Sequence, residues 1–181
     1  MLKITIPGIE LYDEQKNEFS YTKDTVIQLE HSLVSISKWE AKWGKSYLST
    51  HEKTQEEALD YIKCMTITQN VSDETYRGLT KELVDKISEY INSPMTATKF
   101  SEENNKSGKS REIITSELIY YWMISLQIPF ECQKWHINRL LTLINVCNIK
   151  NTPAKKMSKA DIYSKNKALN AARRAKYHTK G

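Results

Sequence analysis

The sequence predicts a mainly α chain of the α+β kind: a compact helical bundle with an N-terminal β-hairpin and a basic C-terminal arm. Three observations carry this. Apolar residues recur at helical spacing through most of residues 30–150, while period-two alternation marks the first 22 residues and recurs, mixed with helical spacing, only over 27–33. Five Gly and four Pro in 181 residues are too few for a loop-rich sandwich. Charge is unevenly spread: of 27 Lys/Arg and 22 Asp/Glu, nine bases and one acid lie in residues 151–181, leaving 18 bases and 21 acids in residues 1–150. The arm therefore carries +8 and the body −3, a pattern of a folded body fitted with an extension for an acidic partner.

The elements follow in order. Ile4 and Ile6 flank Thr5, Ile9 and Leu11 flank Glu10, and Phe19 and Tyr21 flank Ser20. With the polar "YDEQKNE" between them, the later runs predict a hairpin over about 9–22, within an N-terminal section of about 1–24. In "VIQLEHSLVSISKWEAKW", Ile27, Leu29, His31 and Leu33 alternate, whereas Leu29, Leu33, Ile36 and Trp43 fall near one helical face. A strand passing into a helix near Ser32 reconciles the two, and Gly44 ends it. In "THEKTQEEALDYIKCM", Thr54 and Glu57 form a capping box ahead of the stripe Ala58, Leu59, Ile62 and Met65. "SDETYRGLTKELVDKISEYINSP" is expected to be the strongest helix, capped by Ser72, with Tyr76, Leu79, Leu83, Ile87 and Tyr90 on one stripe until Pro94 stops it.

A polar segment over about 101–110, "SEENNKSGKS", is expected to be a mobile loop. Two helices should follow as an antiparallel pair at the centre of the core. One carries Ile114, Leu118, Tyr121, Trp122 and Ser125, the other Ile137, Leu140, Leu141, Ile144 and Cys147, with "QIPFE" connecting them. From 151 to 181 the chain should be an arm, marginally helical or disordered. Ser158 and Asp161 can cap a helix through about Lys176, but Ile162, Leu169 and Ala172 give it little to bury.

Chemistry-bearing patterns do not converge. "SGKS" at 107–110 and "WGKS" at 43–46 lack the earlier glycine of a phosphate-binding loop, which would fall at Glu103 or Trp39. Cys132 and His136 share a helical spacing and Cys147 lies eleven residues beyond, but a fourth zinc ligand is missing and Cys147 falls on an apolar stripe. Glu56/Glu57, Asp73/Glu74 and Glu102/Glu103 are adjacent pairs that point about 100° apart on a helix. No serine has a nucleophile-elbow context. The reading is therefore of no catalytic residue, no metal and no cofactor. Three cysteines without a close pair and no apolar leader predict a reducing cytoplasm. No run reaches the roughly 18 to 20 apolar residues of a membrane helix, so no membrane partner is expected.

Partner contacts are assigned to two places. Trp135, His136 and Arg139 form a partly exposed ridge, while Trp122 belongs to the core. In the arm, Lys155, Lys156, Lys159, Ile162, Leu169, Arg173, Arg174 and Lys176 offer charge with two apolar anchors. The same cations, with Lys165 and Lys167, could neutralise phosphates, so nucleic acid remains the alternative partner. Against it stand an acidic body and no base-reading motif, with aromatics in the arm only at Tyr163 and Tyr177.

"LEHSLVSISKWEAKWGKSYLS", "YINSPMTATKF", "REIITSELIYYWMISLQIPFECQKWHINRLLTLINVCNIKN" and "KKMSKADIYSKNKALNAARRAKYHTKG" resemble, in order and wording, the tail assembly chaperones of long-tailed bacteriophages. The resemblance covers most of the chain and rests on no short diagnostic motif. It implies a small, helical, non-enzymatic protein of the host cytoplasm, absent from the mature virion. Such a protein coats the tape measure protein, helps recruit tail tube subunits and can self-associate. Some members are also made in a longer, frameshifted form.

Overall fold

A computed structural model describes residues 1–13, 17–49, 52–100, 113–152 and 159–178. Within them the fold is mainly helical, with four short N-terminal strands. Strand β1 (Leu2–Ile6) pairs antiparallel with β4 (Thr25–Leu29), in register from Leu2↔Leu29 to Ile6↔Thr25. Alternation puts Ile4, Ile6, Ile27 and Leu29 on one buried face. Between them β2 (Glu10–Asp13) and β3 (Glu18–Tyr21) make the predicted hairpin, in a separate two-stranded sheet that pairs Tyr12 with Phe19.

The strand-to-helix switch falls at Ser32, whose side chain accepts from the Ser35 N–H and caps α1 (Leu33–Trp43). Gly44 closes that helix in the left-handed region, φ 63°, donating its N–H to the Glu40 carbonyl at 2.8 Å. In α2 (Gln55–Met65) the Thr54/Glu57 capping box is present as read. Its inward face differs, because Glu57, Tyr61, Ile62 and Met65 are buried while Ala58 and Leu59 face out. Two large rings, Trp39 and Tyr61, set this rotation by burying more apolar surface than Leu59 could.

The expected long helix over 72–93 is two elements. A 3-10 turn (Asp73–Gly78) precedes α3 (Lys81–Asn92), which Thr80 caps in place of Ser72. Gly78 explains the break: a Cβ there would stand 2.6 Å from the Pro7 carbonyl oxygen and 3.0 Å from Ile6 Cγ2. The turn sits on the backbone at the end of β1, and a straight helix could not hold both that contact and the burial of Ile87 and Tyr90. Tyr76, Ile87 and Tyr90 are buried as the stripe required, and α3 ends before Pro94.

In α4 (Ser116–Ser125) the buried residues are Ser116, Ile119 and Met123. The expected stripe through Ile114, Leu118 and Tyr121 is therefore displaced by one position around the helix. Trp122 does pack against the core. After a 3-10 turn (Phe130–Lys134), α5 (Ile137–Asn151) buries Ile137, Leu140 and Ile144 and half-buries Leu141 and Cys147, as expected. The hub of the core is α1, not an α4–α5 pair. It packs on α2, on α4 and on the Phe130–Lys134 turn, because Leu33, Ile36 and Trp39 present fully buried side chains along its length.

Residues Met1–Asn148 and Ile149–Gly181 form two compact units. In the second, α6 (Lys159–Tyr177) is helical, and its described side chains are all exposed. The 101–110 segment, Ser158 of the proposed cap, Lys155 and Lys156 lie outside the described residues.

Candidate partner-binding surfaces

Trp135 and Arg139 come together as read. Trp135 follows the 3-10 turn in extended conformation, and the Arg139 guanidinium carbon lies 4.1 Å above its indole. Stacking of this kind is worth about 0.5–1 kcal/mol at a partly exposed site. His136 does not join them and is 5% exposed. One residue of extended backbone between turn and helix separates the two side chains, so His136 is buried while Trp135 stays half-buried, packed at the edge of the core. The His136 Nδ1 accepts the Asn138 N–H at 3.3 Å, which leaves Nε2–H to donate to the Tyr90 carbonyl at 3.1 Å. Burial lowers its pKa, against the opposing pull of that carbonyl and of Glu30.

Behind the ridge runs a chain of packed rings that sequence reading did not assemble. Trp39 meets Tyr47 edge-on, Tyr47 stacks on Tyr61 at 3.8 Å, and His31 contacts Tyr61 and His136 at 5.7 and 5.0 Å. His31 Nδ1 and the Tyr61 hydroxyl are 2.5 Å apart. Desolvation, with His136 nearby, drives His31 down to about 3. Glu40, 7% exposed, accepts the Tyr47 N–H at 2.8 Å and the Ser116 N–H at 2.7 Å, tying α1 to the start of α4. Nothing periodic in the sequence announces a pairing across 76 residues.

On α6 the successive 100° steps place Ile162 and Leu169 on one line, with Lys165, Arg173 and Lys176 within about 60° of it. Ile162 is 45% and Leu169 47% exposed. Lys159 flanks the same face, while Lys167, Arg174 and Tyr163 lie on the far side. Six cations against Asp161 make α6 polar nearly all round, a helix that solvates itself and offers two apolar anchors amid positive charge.

Cys132 is buried with its thiol pKa raised by desolvation, and both nitrogens of His136 are engaged, so the Cys132/His136 spacing does not present two free donors. Among the described residues no group of three or more His, Cys, Asp or Glu could hold a metal ion. A cleft of about 360 Å³ lies by Trp39, Lys45, Ser49, Lys53 and Glu57. Three of its charges have structural partners: Glu57 caps α2 and takes Lys45 at 2.5 Å, and Lys53 lies 4.4 Å over the Tyr47 ring. No helix among the described residues is long and apolar enough to cross a membrane. Compared with known proteins, the chain matches no family model, no curated protein and no solved structure.

Proposed function

We propose that this chain is a non-enzymatic tail assembly chaperone of a long-tailed bacteriophage, acting in the host cytoplasm and absent from the mature virion. It coats the tape measure protein, helps bring tail tube subunits to it and leaves as the tail matures. The observation that carries this reading is the α6 arm, an exposed helix with Ile162 and Leu169 set among Lys165, Arg173 and Lys176. A long amphipathic helix with acidic flanks is its natural complement, since two apolar anchors supply packing while cations fix register and speed encounter. The Trp135–Arg139 ridge adds a second, rigid aromatic contact.

The arm also admits nucleic acid, and substitution separates the two. With purified tape measure protein, Ile162→Asp or Leu169→Asp should weaken binding as much as replacing Arg173 and Arg174 together by Gln, about tenfold or more. Binding to random-sequence duplex DNA would instead ignore both apolar substitutions. It would weaken with salt at a slope near −0.9 per phosphate contacted. That second pattern, with micromolar or tighter affinity at physiological salt and no binding to the tape measure protein, would overturn the proposal.

A further inference from the structure

The first backbone N–H groups of α5 need acceptors from outside the helix, and two histidines supply them. The His31 carbonyl takes the Ile137 N–H at 2.7 Å. His136 stands at the N-cap position: its own carbonyl takes the Leu140 N–H at 3.1 Å, and its ring Nδ1 takes the Asn138 N–H at 3.3 Å. Ser, Thr, Asn or Asp ordinarily caps with an oxygen that still accepts in mild acid, whereas an imidazole nitrogen accepts only while the ring is neutral. The same turn closes α3. His136 Nε2–H donates to the Tyr90 carbonyl, and the Asn138 side-chain amide donates to the Ile91 and Ser93 carbonyls at 3.3 and 2.8 Å. Arg139, next in the turn, is the cation that lies on Trp135. One turn of helix therefore holds both the α3–α5 join and the Trp135–Arg139 stack.

A proton on Nδ1 removes the lone pair that receives the Asn138 N–H, leaving a part-buried donor without its partner. It also sets a cation against the positive end of the α5 dipole, where the first turn has no acid to offset it. The charged ring would be 5% exposed and 5.0 Å from the ring of His31. Of the groups that face it, the Tyr90 carbonyl and the Glu30 carboxylate favour the charge, and the Met1 ammonium opposes it. Glu30 is already engaged, by that ammonium at 2.9 Å and by the Tyr90 hydroxyl at 2.7 Å. The Tyr90 and Tyr61 hydroxyls stay neutral, and Arg139 is exposed and occupied with Trp135.

We infer that His136 is an acid-sensitive helix cap. Neutral, it holds the first turn of α5 on the end of α3; protonated, it releases that turn, and with it the Trp135–Arg139 stack, while the rest of the body stays folded. The closed turn requires the neutral ring, so opening takes up a proton and the open form gains as pH falls. The opening is local, confined to the α3–α5 join, because the contacts of α1 with α2 and α4 do not pass through His136.

The test follows the full chain by amide nitrogen relaxation from about pH 7.5 to about pH 4.5, with the Cε1 proton of His136 reporting the titration of its own ring. Backbone order parameters of Asn138 and Arg139 should fall from about 0.85 to below about 0.6 as that ring titrates, while those of Ile36 in α1 and Ile62 in α2 stay near 0.85. His136→Asn keeps an N-cap acceptor that does not titrate, and should hold Asn138 and Arg139 rigid across the whole range. If that variant does not fold, the titration of the unaltered chain decides alone. The inference is overturned if both order parameters stay high through the His136 titration, or if the ring stays neutral across the range. It is equally overturned if Ile36 and Ile62 loosen at the same pH, or if His136→Asn loosens over the same range as the unaltered chain.

Discussion

Gly78 shows how a single residue decides an element. The helical period from Tyr76 to Tyr90 is unbroken in the sequence, and a glycine inside it costs a helix only about 1 kcal/mol, too little to forecast a break. What breaks the helix is contact with Pro7, some seventy residues away, and no local pattern encodes that. Gly78→Ala should destabilise the protein by about 2 kcal/mol, because the Pro7 carbonyl oxygen at 2.6 Å is backbone and cannot swing aside; urea denaturation measures it. Unchanged stability would mean that the turn does not depend on this approach. Cap residues are the opposite case. Thr54, Glu57 and Gly44 were legible because capping is a short-range exchange of hydrogen bonds, whereas Ser72, read as a cap, yields that place to Thr80 once the helix is broken at Gly78.

At the scale of elements, existence was easier to read than facing. The hairpin, the strand-to-helix switch at Ser32, α2 and α5 stand where periodicity put them. The faces of α2 and α4 were rotated, because both helices carry more apolar residues than one stripe can hold, and tertiary partners choose among them. In α4 the choice is made by Glu40, whose carboxylate receives the first N–H of the helix and turns Ile119 and Met123 inward. Glu40→Ala would strand the buried N–H groups of Tyr47 and Ser116, and the expected loss is about 3 kcal/mol. Glu40→Gln keeps one acceptor and should lose less. A thermal melt of both variants checks the order, and equal losses would assign the effect to packing rather than to the paired acceptor.

At the scale of the molecule, the charge division between body and arm was plain in composition, while the buried ring chain was not. His31 belongs to that chain and gives the body an acid limit. Its folded pKa of about 3 lies below the ordinary 6.5, so between those values the unfolded chain takes up the proton and the folded chain does not. Stability is therefore complete above about pH 6.5 and falls as pH drops toward 3, by about 2 kcal/mol between pH 7 and 5 from this group. His136, also depressed, acts in the same direction. Denaturation midpoints at pH 7, 6 and 5 read the trend, and a flat or rising profile would contradict it. The proposed function rests on the exposed basic helix α6 and the partner proposed for it. The most direct measurement is affinity recovery of the full chain from phage-infected cells, with and without nuclease, followed by mass spectrometry. The account predicts one long helical phage protein, retained after nuclease and lost when Ile162 and Leu169 are both changed to Asp; recovery of nucleic acid alone, released by nuclease, would contradict it.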